Sequence, residues 1–205
     1  MAITNGYATL AEYKAYMAMR GLAGSVGTDA SDDAVIEDLI EAVSRYADVT
    51  TGRRFYIDTN DTIYYYDAKQ NYEIRLPDFG SITTVAVDYV NTRTYTNLAA
   101  SDWEALPVNY SAEGNPITGL AILPTSAAYF PTSRSGVKIT GKRGYPSVPN
   151  DIREATLETV ANIYSARSGQ SNSGRISITA SGVVLRPEDV PDFAMAIFKS
   201  YRILT

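Results

Sequence analysis

The sequence predicts an α+β fold: a helical bundle, made of an N-terminal helix pair and C-terminal helices, interrupted by an inserted antiparallel β domain. Three observations carry this. Two helix-forming stretches near the N-terminus stop at Thr51-Gly52-Arg53-Arg54-Phe55. Roughly a hundred residues with a period near two follow. Helical pattern then resumes at Pro149-Asn150-Asp151-Ile152 and runs to Tyr164-Ser165-Ala166-Arg167. Residues 1–52 and 149–205 are therefore expected to form one helical domain, and residues 53–148 an inserted β-rich domain. The second and third helices should pack together, because the insert returns the chain to near where it left.

Thr9-Leu10-Ala11-Glu12 has the form of a capping box, a hydroxyl at the N-cap with a carboxylate three residues on. The helix it opens should end near Met19, with Gly21, Gly24 and Gly27 breaking it. Ser31-Asp32-Asp33 starts the second helix, its acids complementing the positive end of the helix dipole. Ile36, Leu39, Ile40, Val43 and Ala47 form its apolar stripe, and Glu41 and Arg45 an i,i+4 pair. Gly52 suits the left-handed position that ends a helix.

Within the insert, Thr62 to Asp67, Tyr72 to Leu76, Ile82 to Val90, Gly119 to Leu123 and Gly136 to Thr140 read as strands. Turns are expected at Asp67 to Asn71, Pro77-Asp78-Phe79-Gly80 and Glu113-Gly114-Asn115-Pro116. Asp151 with Glu154 suggests a second capping box, followed by the stripe Leu157, Val160, Ala161, Tyr164. Ile152 and Ile163 add a second apolar edge, so this helix should be covered on more than one side, with Glu154, Glu158 and Asn162 wet. Residues 168–174 are the least ordered-looking stretch, and a hairpin around Ser181-Gly182 is expected after it. A last helix begins near Pro187 or Pro191 and carries Ala194, Ile197, Phe198 and Tyr201 at helical spacing.

Composition removes several chemistries. The 205-residue chain has no cysteine and no histidine, so it lacks disulfides, sulfur metal sites and the usual neutral-pH base. A net charge of -5 argues against wrapping nucleic acid. No apolar run is long enough to span a bilayer, and the first ten residues do not read as a secretory signal.

Gly136 to Arg143 looks at first like a phosphate loop. Arg143 stands where the magnesium-binding hydroxyl belongs and no helix follows, so a strand leaving through a basic turn is expected. The acids at Asp29, Asp32 and Asp33, and at Asp58, Asn60 and Asp61, read as caps and turns rather than cation sites. No catalytic residue, metal ligand or cofactor is expected. The sixteen tyrosines are more telling. Tyr64, Tyr65 and Tyr66 are consecutive on a strand, so their rings alternate between faces. Either tyrosine simply suits strands here, or one face meets a partner. A sugar-binding face is the third reading. Phe193, Ile197, Phe198, Tyr201 and Leu204 give the last helix enough apolar area to dock on the chain's own helices or on a partner.

Taken in order, these residues resemble the head–tail connector (adaptor) proteins of tailed bacteriophages, in the longer variety with a β insert. The resemblance runs through Thr9 to Lys14, Asp32-Asp33 with Ile36, Leu39, Ile40 and Ala42, and Tyr46. It continues with Thr51-Gly52-Arg53, Phe55, Leu76-Pro77, Ile82 to Val85, and Ser101-Asp102-Trp103. Val137 to Thr140 before Gly144-Tyr145, Val148 to Ala155, Tyr164, Arg167, Val190-Pro191 and Tyr201-Arg202 complete it. The stretches at 21–27 and 168–186 depart from it.

The resemblance implies a structural virion protein of the neck, assembled in the host cytoplasm. It would form a homo-oligomeric ring of twelve copies under the portal protein and offer a surface to the next neck or tail protein. DNA would pass through the ring without specific binding. The resemblance gives Phe193, Ile197, Phe198, Tyr201, Arg202 and Leu204 a portal-docking role. Glu37, Asp38 and Glu41 are candidates for the channel lining or a subunit contact, and Tyr64, Tyr65 and Tyr66 for a partner surface on the β domain. Another neck, tail or head-decorating protein is the alternative, and a carbohydrate-binding β module a distant one.

Overall fold

The computed structural model describes residues 3–20, 30–167, 177–179, 182–184 and 189–203. In chain order the elements are α1 (Leu10–Met19), α2 (Ala30–Thr51), β1 (Thr62–Tyr66), β2 (Glu73–Val87), β3 (Thr96–Asn97), β4 (Trp103–Leu106), α3 (Tyr110–Glu113), β5 (Ile117–Ile122), β6 (Val137–Arg143), α4 (Asn150–Arg167), β7 (Ser177–Thr179), β8 (Gly182–Val184) and α5 (Asp192–Ser200). The fold is α+β, with helices and an antiparallel six-stranded sheet. It divides into two compact units, residues 1–53 with 148–205, and residues 54–147. The glycine-rich break at 21–27, Asp29, residues 168–176 and Leu204 lie outside the described residues.

In the helical unit, the capping box of α1 is formed. The Thr9 hydroxyl accepts the Glu12 N–H at 3.2 Å, and the Glu12 carboxylate accepts the Thr9 N–H at 2.7 Å. The α2 stripe, Ile36, Leu39, Ile40, Val43 and Ala47, is buried along its whole length. Most of it shares one core with Tyr13 and Met17 of α1 and Leu157, Val160, Ala161, Ile163 and Tyr164 of α4. Helix α4 packs on α1, α2 and α5, which is why it is apolar on more than one side. Its buried Thr156 and Thr159 return their hydroxyls to the carbonyls of Ile152 and Ala155 at 2.8 and 2.7 Å, so no donor is stranded. Gly52, at φ +69, ends α2 in the left-handed conformation.

The second capping box does not form. Helix α4 already begins at Asn150, so Asp151 lies inside the first turn and cannot be the N-cap. Its carboxylate instead takes the Tyr201 hydroxyl at 3.0 Å. Asn162, expected to be wet, donates its side-chain amide to the Asp189 carbonyl at 3.1 Å. Of the hairpin predicted around Ser181-Gly182, Ser181 lies outside the described residues, while β7 and β8 pair antiparallel with Thr179 opposite Gly182.

In the insert the sheet order is β1-β6-β2-β5-β4, with β3 on β2. One expectation fails here. Pro77-Asp78-Phe79-Gly80 is not a turn between two strands but the middle of β2, a single strand of 15 residues. Its first part pairs with β5 and its last part with β6, and Phe79 pairs with both Ile117 and Arg143. The register shifts on either side of Phe79 are bulges. A bulge accepts a proline that cannot donate and a glycine that must bend, so turn-type residues here bend the strand rather than end it. Strands β3 and β4 and the short α3 have no counterpart among the expected elements. The core is Ile74, Leu76, Phe79, Val85, Val87, Ile117, Leu120, Ile122, Phe130, Val137 and Ile139, with Trp103 packed at its side.

Both ends of the insert are held by Asp58. Its carboxylate pairs with Arg54 at 2.9 Å, accepts the Tyr64 hydroxyl at 3.0 Å and accepts the Arg143 N–H at 3.1 Å. The Asp58 N–H donates back to the Arg143 carbonyl at 2.9 Å. Beside it the Phe55 and Tyr145 rings lie 4.9 Å apart. Gly144, at φ +105, turns the chain there, and a Cβ at this position would overlap the Tyr56 carbonyl oxygen.

A second carboxylate organises the loop after β2. Buried Asp88 accepts the N–H groups of Arg93, Thr92 and Val90 at 2.6, 3.2 and 3.3 Å. Burial opposes its ionisation. The backbone donors of Arg93, Thr92, Val90 and Asn91 together outweigh that and hold the carboxyl below its ordinary value.

Two outcomes are expected. Asp58→Ala strands three partners and should cost the insert about 2–3 kcal/mol. Urea unfolding followed by Trp103 fluorescence would measure it, since the chain's single tryptophan lies in the insert; a loss below about 0.5 kcal/mol would remove the clamp's role. For Asp88, a depressed folded pKa means stabilisation that is complete above the unfolded value, about 3.9, and fades as pH falls through the folded one. Wild type should therefore exceed Asp88→Asn in stability at pH 7, with the gap closing below about pH 4.

Candidate functional site

The surface expected to dock on a partner begins at α5. Alternation along this helix divides its residues. Ala194 and Phe198 are fully buried, Ile197 is half-buried, and Phe193 is 58% exposed. The Phe198 ring meets Tyr46 of α2 edge-on, centroids 6.5 Å apart. Phe198 therefore belongs to the core of its own unit and is not available as a docking side chain. Tyr201 is also committed inward: its hydroxyl donates to Asp151, and its carbonyl accepts the Arg53 Nε–H at 2.7 Å. The Ile203 N–H donates to the Thr51 carbonyl at 3.0 Å. These bonds tie the segment after α5 to the end of α2. Among the described residues, Phe193 and Arg202 are the exposed members of the expected set.

The acids of α2 are likewise placed within a network. Glu41 accepts the Asn5 N–H at 3.3 Å and pairs with Arg45 at 3.8 Å. Arg45 reaches Asp48 at 3.2 Å and the Asn5 carbonyl at 2.9 Å, and its guanidinium lies 5.6 Å from the Tyr7 ring centroid. The Tyr7 hydroxyl donates to Asp48. Glu41 thus fastens the N-terminal segment to α2, while Glu37 is half-buried and Asp38 exposed. The described carboxylates of the two acidic clusters considered for cations all have partners. Asp33 pairs with Lys14 at 2.6 Å, Asp32 takes the Tyr164 hydroxyl at 3.2 Å, and Asp61 takes the Thr83 hydroxyl at 2.6 Å. Among the described residues no group of three carboxylates could hold a metal ion. Of the Gly136 to Arg143 stretch, Val137–Arg143 is strand β6, which continues through Arg143 rather than turning at Gly141.

The three consecutive tyrosines part as strand geometry requires. Tyr64 and Tyr66 turn inward and set their rings edge-on to Phe79, at 5.5 and 6.2 Å. Burial pushes the Tyr66 hydroxyl up to about 12, with Arg143 opposing and Tyr64 adding to the shift. Tyr65 points out and meets Tyr95 at 5.6 Å. A shallow groove of about 490 Å³ lies elsewhere on the insert, lined by Tyr89, Asn97, Leu98, Asp102, Ser126 and Tyr129 among others. Its Tyr89 and Tyr129 rings are 4.8 Å apart. Asp102 is occupied in holding the groove together, accepting the Ala99 N–H at 2.9 Å and the Ser126 hydroxyl at 2.8 Å. Sequence reasoning missed this groove, because its walls are far apart in the chain and carry no local signature.

No protein-family profile and no curated protein matches this chain. Among solved structures it is similar to a chain described as "Neck of empty GTA particle computed with C6 symmetry". The likeness has a TM-score of 0.56 at 16% sequence identity, and it covers 100% of this chain and 94% of the other. At that identity it shows a shared fold, helical unit and β insert together.

Proposed function

We propose that this protein is a structural component of the neck of a tailed, phage-like particle, and that it acts as a head–tail connector. In this reading copies of the chain form a ring under the portal, extend the DNA channel and present a surface to the next neck or tail protein. The observation that carries the reading is the end-to-end likeness to a chain from a particle neck. The connector-like sequence features, in order over nearly the whole chain, support it independently. Twelve copies is our expectation for the ring; the C6 symmetry applied to the similar neck is compatible with six or twelve. Each copy carries -5, so a ring would be strongly negative, and phosphates passing through would find few cations to hold them. None of the described helices is long and apolar enough to cross a membrane. Assembly in the host cytoplasm and residence in the virion neck follow from the reading.

Electron microscopy of the purified chain mixed with its cognate portal should show rings capping the portal. A chain that ignored portal and bound glycans would overturn the reading. The docking surface calls for a finer test than deletion of residues 193–205, because that deletion also removes Phe198 from the core. The pair Phe193→Asp and Arg202→Glu should weaken portal binding at least about tenfold, a loss of about 1.4 kcal/mol, with thermal unfolding unchanged. Phe198→Ala should instead destabilise the helical unit by about 3–5 kcal/mol. Portal affinity unaffected by the Phe193 and Arg202 changes would remove the last helix from the interface.

A further inference from the structure

Two strands end the insert's sheet. In the order β1-β6-β2-β5-β4, β1 is hydrogen-bonded to β6 alone and β4 to β5 alone. Among the described residues, neither strand makes a backbone hydrogen bond on its other side. Each therefore presents a row of N–H and C=O groups open to an added strand. Sheet edges that stay in water are guarded by lysine, proline or a bulge. Thr62-Ile63-Tyr64-Tyr65-Tyr66 has none of these and pairs with β6 in an unbroken register. Trp103-Glu104-Ala105-Leu106 has no lysine or proline either, and its register on β5 is also unbroken. Both ends of the sheet are thus built to be extended rather than to be left free.

The chemistry of an open edge selects its occupant. Backbone donors and acceptors spaced along a strand are matched by another extended backbone. This chain carries two such edges of similar length, five residues and four. Every neighbouring pair along the sheet is antiparallel, so β1 and β4 run in the same direction. A further copy carried along the sheet, its core on the same face, therefore brings its β4 parallel to β1. We propose that β1 of one copy pairs with β4 of the next as a parallel ladder, making the sheets of successive copies continuous. The contact rests on the ring reading given above and deepens it by naming the surfaces that meet. It joins two different patches of identical chains, and such a head-to-tail contact closes into a ring when its rotation allows.

Side chains fix the register. Tyr64 and Tyr66 of β1 pack on the insert's core, as do Trp103 and Ala105 of β4. The faces match when Tyr64 lies beside the next copy's Trp103, which puts Tyr65 beside its Glu104. A slip of two residues one way sets Asp61 beside Asp102, and a slip of two the other way sets Asp67 beside Glu104. Like charges side by side oppose both slips. The symmetric alternative, β1 against β1 of a second copy, runs antiparallel. Centred on Tyr64 it sets Asp61 opposite Asp67 at both ends, and it closes at two copies rather than a ring.

The chain has no cysteine, so an introduced pair reports the contact without background. The test uses the full chain assembled on its portal. Under mild oxidation, chains carrying both Tyr65→Cys and Glu104→Cys should link into a ladder of dimers, trimers and longer species on a non-reducing gel. Each single variant should stay unlinked, with thermal unfolding unchanged in all three. Hydrogen exchange on wild type is the second measurement. Amides of 62–66 and of 103–106 should both exchange about fivefold or more slowly in the ring than in the dilute monomer, the worth of one hydrogen bond. A ring that lacks either the ladder or the protection overturns the contact alone. Dimers from Tyr65→Cys by itself assign β1 to symmetric pairing and overturn it. Protection gained at 62–66 but not at 103–106 assigns the edge to a strand of another protein and also overturns it. A wild type that native mass spectrometry finds monomeric even with portal overturns the ring reading and this contact with it.

Discussion

Ninety-odd residues of sheet set into a helical scaffold must bring their two ends back together, and closing a loop of that length costs entropy that something local has to offset. Asp58 does this. It sits where the chain has just left the helices and holds Arg54 and Tyr64, and it exchanges hydrogen bonds with the backbone of Arg143, where the chain is about to return. The Phe55 and Tyr145 rings close over the same place from the apolar side. Polar and apolar contacts thus define one closure point, and the strands between are free to be judged on their own packing. The sheet that follows depends on it, because β1 begins four residues after Asp58 and β6 ends at Arg143.

The second organising residue is Phe79. It is paired with two neighbouring strands at once and packed by Tyr64 and Tyr66, so it marks where β2 exchanges one partner for the other. A strand of 15 residues can serve two neighbours in succession only if it bends, and the residues that permit bending are those usually found in turns. This explains why the sequence misleads at Pro77 to Gly80. Local chemistry reported a change of direction correctly but could not say whether the hydrogen-bonded ladder was interrupted.

The same distinction separates what was legible from what was not. Helical stripes such as Ile36, Leu39, Ile40 and Val43, and the Thr9–Glu12 box, are local patterns whose outcome is decided within a few residues. Asp151 shows the limit: its spacing to Glu154 was right for a cap, but a tyrosine fifty residues away claimed the carboxylate. Phe198 is a further case. A large apolar residue near a chain end reads equally well as an anchor for a partner or for the protein itself, and only its packing on Tyr46 decides. The groove between Tyr89 and Tyr129 belongs to the same class, being a product of packing between distant loops rather than of any contiguous motif.

The helical unit is built from two stretches of chain with the whole insert between them. During synthesis α2 emerges long before α4 and α5, and 94 intervening residues take about 5–20 s to make at ordinary elongation rates. For that interval the buried stripe of α2 has no α4 to cover it, while the insert, being continuous, can fold as soon as it is released. Folding order is therefore imposed by topology: sheet first, helices last. Until α4 and α5 are made, an unfinished chain carries a completed β unit together with an adhesive helix.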